Sequence, residues 1–361
     1  MSLTQQVLAE HVDKLREYRF IVVQHLMSDT YSFLTELLES GVEVDRLFVK
    51  EYSCDTAYYD ALQGVVARQM IDGDMTPHYT AALREAIEKS KRDGKRVAVL
   101  DLGGEFAPIV AAADGNGVPI VVVEDTAFGH RKYADLTLND PNIQLFSVAQ
   151  SDFKEIEAIF VGEAVVSSTE RVLRSLGKTL CGVNALLIGY GMIGKNVAAA
   201  LRKRGCIVSV YDKQATRTCR AHFDGYRVGG LHELLADNAV VIGATGETSL
   251  NDDDIAYLRD GAVLVSASSK QVEFCERLLA GTDSVSEHVD LCRFADKAVY
   301  LLNGGYPINF IDRSVPDYII EFMFAEMLMC LTQADATHRD GIREVSAQGR
   351  DFVSQRFLAT K

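Results

Sequence analysis

The sequence predicts an α/β protein built as two doubly wound parallel-sheet domains, with a C-terminal helix returning to the first. Two observations carry this. Short β-rich apolar runs alternate with longer amphipathic segments from near residue 19 onward, the pattern of a parallel sheet covered by helices. The chain has 361 residues, beyond the ~250–300 at which a single core stops growing.

The elements follow in order. Apolar runs place strands at 19–25, 44–49, 96–101, 120–124 and 143–148. Ser28 and Asp29 open a helix that Gly41 closes, and Thr76-Pro77 opens another that runs to Gly94. Residues 152–176 read as one long amphipathic helix. Beyond Gly177 a second β-α series places strands at 185–189, 207–212, 240–244, 262–266 and 299–302. An apolar helix over 315–331, with Pro316 near its start, and a polar terminal helix lie past the last strand, so they are expected to cross back onto the first domain. The expected organisation is a substrate domain, 1–165 plus 315–361, and a second domain, 166–314.

Composition narrows the function classes. With 37 Lys+Arg against 51 Asp+Glu the formal charge is −14, which offers no broad field for a phosphate backbone. No nucleic-acid partner is expected. No leader-like or membrane-spanning stretch is visible, since Glu321 and Glu326 break the most lipid-like segment, so a cytoplasmic protein without membrane association is expected. The seven cysteines (Cys54, Cys181, Cys206, Cys219, Cys275, Cys292, Cys330) are odd in number and never paired as Cys-x-x-Cys. They read as reduced thiols, with no metal site.

The most specific motif is Asn184 to Asn196, NALLIGYGMIGKN: an apolar strand, Gly189-x-Gly191-x-x-Gly194, then a helix opening near Met192 and Ile193. Gly189 permits the tight turn, Gly191 lets backbone approach a pyrophosphate, and Gly194 lets helix pack on strand. The N–H groups at the helix start face the anion. Asp212 ends the next strand, where a carboxylate accepts hydrogen bonds from the adenosine ribose. Together these define a Rossmann dinucleotide domain. NAD is expected over NADP because Asp212 would repel a 2′-phosphate, although Lys213 and Arg217 stand nearby. Thr245-Gly246, Ser268 and Asn303, in loops after later strands, are expected to complete the cofactor site; ordinary turn chemistry is the alternative for each.

These residues resemble the S-adenosylhomocysteine hydrolase family, over nearly the whole chain. The resemblance rests on GYGMIGK at 189–195, Ala244-Thr245-Gly246, and Leu302-Asn303-Gly304-Gly305 in the second domain. In the first it rests on Gln24-His25-Leu26, Asp101-Leu102-Gly103-Gly104-Glu105, and Glu124-Asp125-Thr126 leading to His130-Arg131. It implies NAD held for reversible oxidation of a ribose 3′-hydroxyl, which acidifies the neighbouring C–H for thiol elimination and water addition. It also implies functional positions at His25 and Glu124, a cofactor contact at Thr126, and a homo-oligomer, dimer or tetramer.

The resemblance breaks at several positions. The family's Lys and Asp, four residues apart and followed by Asn, align with Phe153, Glu157 and Ala158. Lys154 is one place away, a ~100° rotation on a helix, and would need a local shift to reach the same pocket. Two family histidines align with Ser269 and Phe310, and the family's C-terminal Lys/Tyr tail has no equivalent in Arg356 to Lys361. His25, Glu124 and Glu157 are the candidates for proton transfer or ribose anchoring. Each has a plain alternative: a hydrogen-bonded loop histidine, a structural carboxylate, and a solvated helix face.

The expected function is an NAD-dependent enzyme resembling S-adenosylhomocysteine hydrolase that oxidises a hydroxyl on a small molecule, a nucleoside or thioether nucleoside. Two other readings compete. A 2-hydroxy-acid dehydrogenase would need an Arg after the fifth Rossmann strand, where Lys270 stands; a catalytically inactive NAD-binding regulator would lack the lysine and histidines, as here.

Overall fold

The computed structural model describes residues 1–335 and 341–360; residues 336–340 and Lys361, within the expected returning segment, lie outside the described residues. The chain divides into two compact units, Met1–Lys154 with Asp317–Lys361, and Glu155–Pro316.

The first unit is built on β1 (Tyr18–Leu26), β2 (Glu43–Cys54), β3 (Arg68–Ile71), β4 (Arg96–Asp101), β5 (Ile120–Glu124) and β6 (Ile143–Ser147). They lie in the order β6-β5-β4-β1-β2-β3, with a short strand, Ile342–Arg343, added beside β6, and every pairing is parallel. Strand order reverses between β1 and β4, so the crevice of this sheet opens at their carboxyl ends. Side-chain alternation explains why both faces are apolar. Phe20 and Val22 share one core with Ala98 and Leu100, while Ile21 and Val23 share the other with Val97 and Val99.

The helix Asp317–Thr332 completes the first of these cores. Residues 322–331 are buried all round, Phe324 stacks on Phe33 at 4.3 Å, and the Tyr18 hydroxyl donates to the Leu331 carbonyl at 2.9 Å. Burying each such Leu or Phe contributes about 1.5–3 kcal/mol. The helix starts just after Pro316, not around it.

The second unit holds β7 (Asn184–Ile188), β8 (Ile207–Tyr211), β9 (Arg227–Val228), β10 (Val240–Gly243), β11 (Val263–Ser266), β12 (Thr282–Ser286), β13 (Val289–Arg293) and β14 (Ala298–Leu302). Their order is β12-β13-β14-β11-β10-β7-β8-β9. The parallel part reverses between β7 and β10, which puts the ligand-facing crevice at the glycine turn. One difference from the expected sheet is the antiparallel extension β12–β13, which pairs to β14. Every residue of β12 is exposed, so its sequence carries no apolar signal. Among the described residues no helix is long and apolar enough to cross a membrane, and the cysteines are free thiols.

Candidate functional site

In the second unit β7 ends at Ile188 and the chain turns at Gly189, whose φ of +98° is a conformation that L side chains rarely adopt. A Cβ at Gly194 would sit 1.9 Å from the Gly189 carbonyl oxygen, so only glycine lets the helix Met192–Lys203 approach the turn this closely. At Gly191 the situation is reversed: a Cβ would meet nothing nearer than the Arg217 guanidinium, 3.8 Å away. Gly191 caps the helix without a side-chain bond, so the N–H groups of Met192 and Ile193 are left for a ligand. Asp212, 7% exposed, accepts from Tyr190 N at 2.7 Å and Gln214 N at 2.8 Å, one on each carboxylate oxygen. Each oxygen keeps a second lone pair for a ribose hydroxyl.

The loops after β10 and β11 are held by a residue the sequence reading missed. Glu273 is 0% exposed and accepts from Thr245 N at 2.7 Å, Thr245 Oγ1 at 2.9 Å, Gly246 N at 2.8 Å and Ser268 Oγ. Thr245, Gly246 and Ser268 are thus brought together, with their polar groups turned onto this carboxylate. A signal existed: Gly243, whose Cβ would lie 2.6 Å from Glu273. Asn303, with φ +50°, donates to the Pro307 carbonyl at 3.3 Å and faces His288.

The first unit uses a carboxylate in the same way. Glu124, also 0% exposed, accepts from Gly103 N and Gly104 N at 2.9 Å and from Thr126 N at 2.7 Å and Thr126 Oγ1 at 2.6 Å. Burial, then the neighbouring Asp101 charge, pushes it up to about 8 against these donors. With three of these bonds on Oε1 and one on Oε2, Glu124 staples the loop after β4 to Thr126. Thr126 lies in this unit and caps the helix Ala127–Ala134, its hydroxyl accepting from Gly129 N at 3.0 Å. Asp101 is likewise committed, to Leu102 N, Phe106 N and the Tyr133 hydroxyl.

His25 stands near the carboxyl end of β1, half-buried, its Nδ1 against the Ser53 hydroxyl and its ring edge-on to Tyr52 at 5.8 Å. Burial, then the ammonium groups of Lys50 and Lys154, brings it down to about 3, so the imidazole is neutral at physiological pH. Lys154 is near enough to act on the His25 charge, and its Nζ is 2.9 Å from Asp125 Oδ1. Phe153 is the residue turned inward, 5% exposed and stacked on Phe322 at 4.9 Å, and the ~100° step then swings Lys154 onto Asp125. Glu157, three residues further along the helix Asp152–Ser175, is 9% exposed and does not lie on a solvated face.

A Rossmann sheet with a glycine turn open above Gly191, closed at Gly194 and faced by an immobilised acid defines a dinucleotide-binding protein. Comparison with known proteins makes this specific: residues 163–311 match the family model described as S-adenosyl-L-homocysteine hydrolase, NAD binding domain. The second unit is an NAD-binding domain, similar over this stretch to that of the S-adenosylhomocysteine hydrolases. An uncharacterized protein of Mycobacterium tuberculosis is 28% identical over 330 residues, which cover 85% of this chain and 62% of that protein. The adenosylhomocysteinase of Archaeoglobus fulgidus is 28% identical over 150 residues, 40% of this chain and 37% of that enzyme. The matches therefore span less than two thirds of these relatives. Among solved structures, the pyruvate reductase of Chlamydomonas reinhardtii superposes with a TM-score of 0.48 at 12% identity, covering 90% of this chain and 99% of that one.

The residues fit NAD. The open space at Gly191 suits the pyrophosphate, the uncapped helix start suits its charge, and the spare lone pairs of Asp212 suit the ribose hydroxyls.

Proposed function

We propose that the chain is an NAD-dependent enzyme that reversibly oxidises a hydroxyl of a nucleoside or thioether nucleoside, with Lys154 and His25 handling the proton. The observation that carries this is the Lys154–Asp125 pair at the carboxyl edge of the first sheet, the edge at which β1 ends near His25. NAD at the glycine turn supplies the hydride acceptor. Oxidising an alcohol also requires a group that holds the hydroxyl proton. In this reading Lys154 is the amine that does so, and Asp125 fixes its position. A pKa of about 3 makes His25 a poor base toward solvent, so its role is that of a neutral hydrogen-bonding group, held by the Ser53 hydroxyl, which also reaches the Lys50 carbonyl at 3.3 Å. Glu124 and Asp101 hold the surrounding loops. The substrate class is taken from the family resemblance, and a cytoplasmic homo-oligomer belongs to the same reading.

A second reading, NAD binding without catalysis, is favoured by Phe153, which fills the family's lysine position with a core side chain. One experiment separates the two. The purified chain is loaded with NAD, given adenosine or S-adenosylhomocysteine, and followed by nicotinamide absorbance and by thiol release. Nicotinamide reduction that falls at least ~100-fold in Lys154→Met supports catalysis through Lys154. Tight NAD binding with no reduction across a nucleoside panel supports the non-catalytic reading.

A further inference from the structure

Two basic residues follow Asp212, and the structure separates their roles. Lys213 is ion-paired with Glu247 on the loop after β10. Arg217 leans the other way: its Nη1 is 3.7 Å from Asp212 Oδ2 and 3.8 Å from where a Gly191 Cβ would stand. Its guanidinium therefore borders the place where the adenosine ribose meets the pyrophosphate. The backbone adds to this. The helix Ala215–Phe223 starts directly after β8 with no side-chain cap bond and no acidic residue in its first turn, and Arg217 lies within that turn. Asp212 is meanwhile tied by two backbone N–H groups, with Arg217 facing one oxygen. Its repulsion of a further anion is correspondingly reduced.

We infer that Arg217 and the start of the helix Ala215–Phe223 form a 2′-phosphate subsite, so that the chain binds NADP as well as NAD. An acid at this strand end marks a free ribose 2′-hydroxyl, whereas an arginine beside it accommodates a 2′-phosphate. This chain carries both, and Arg217 exchanges one partner for the other. With NAD it remains near Asp212, which is free to accept the 2′-hydroxyl. With NADP it turns to the phosphate, where a guanidinium donates two parallel hydrogen bonds. The flexible, half-exposed side chain allows that change without moving backbone.

The inference rests on the NAD reading, and its test keeps the two apart. NAD, NADP and the fragment 2′-AMP are titrated calorimetrically into the full chain freed of cofactor, for wild type, Arg217→Ala and Arg217→Lys. The expected result is NADP binding within about 10-fold of NAD in the wild type. Arg217→Ala should weaken NADP and 2′-AMP roughly 10- to 100-fold while changing NAD by less than about twofold. Arg217→Lys should fall between, because an ammonium keeps the charge but loses the paired geometry. NADP affinity should also drop more steeply with salt in the wild type than in Arg217→Ala. Equal weakening of NAD and NADP would assign Arg217 to the pyrophosphate and overturn the inference, as would wild-type NADP binding more than about 100-fold below NAD. Absence of binding by either dinucleotide would instead remove the NAD reading on which the inference rests.

Discussion

Replacing Gly194 and Gly191 by alanine, one at a time, should separate folding from cofactor binding within a single turn. At Gly194 the new Cβ would lie 1.9 Å from the Gly189 carbonyl oxygen and 3.0 Å from its carbon. Both are backbone atoms, so helix and turn must move apart by roughly 1 Å or more in a close-packed interior. Overpacking of this kind costs about 3 kcal/mol, offset by up to ~1 kcal/mol of helix propensity gained over glycine. A net loss of about 2 kcal/mol lowers the melting midpoint of a 150–250-residue domain by ~4–8 °C. At Gly191 the nearest atom is 3.8 Å away and the backbone, at φ −84° and ψ −160°, suits any residue. Gly191→Ala should therefore melt within ~1 °C of wild type without cofactor, yet bind NAD at least ~10-fold more weakly, a loss of about 1.4 kcal/mol, because the methyl fills the pyrophosphate space. Thermal unfolding of cofactor-free protein and calorimetric NAD titration read the two effects. If Gly191→Ala destabilises the cofactor-free protein as much as Gly194→Ala does, or leaves NAD affinity intact, the assignment of the turn is wrong.

Three further outcomes are expected. Glu273→Ala strips Thr245, Gly246 and Ser268 of their common acceptor and should cost about 3 kcal/mol in urea unfolding, with NAD affinity reduced; an unchanged midpoint would show that the loops hold themselves. Phe153→Lys restores the family's residue type in register but buries an ammonium against Phe322, so it should destabilise by at least ~3 kcal/mol in the same assay without raising any activity. His25 is held near 3 against an ordinary 6.5, so the fold favours its neutral form: stability present above pH 6.5 is lost as pH falls toward about 3, at up to ~1.4 kcal/mol per pH unit. Unfolding titrations of His25→Gln should be flatter across that window, and an identical slope would remove His25 as the cause.

Much of the second unit was legible because its chemistry is local. The glycine turn, the strand before it and Asp212 lie within a few dozen residues, and Gly194 is constrained by the Gly189 carbonyl of the same turn. Continuous apolar runs made the central strands readable in both sheets, since strands buried on both faces need them. The edges were not readable: β12 is exposed throughout, and Ile342–Arg343 is two residues long.

The candidate site divides along the same line. Residue types near strand ends marked His25 and Glu124, but whether a carboxylate there is reactive depends on which donors reach it. Glu124 and Glu273 accept from N–H and O–H groups of loops that converge only in the folded chain. Likewise, the register placed Lys154 one step from the family's lysine without showing its partner Asp125, because a linear register carries no information on which side of the helix is held in the core.

Taken by itself, the sequence determined the α/β class, the crossover pattern and the dinucleotide turn, because backbone conformation and apolar periodicity are written in neighbouring residues. Tertiary structure alone decided which polar groups are spent and which are available. It assigned Glu273 to the cofactor loops, Lys154 to Asp125, Lys213 to Glu247 and Arg217 to Asp212, since side-chain partners are set by the packing of segments that are distant along the chain.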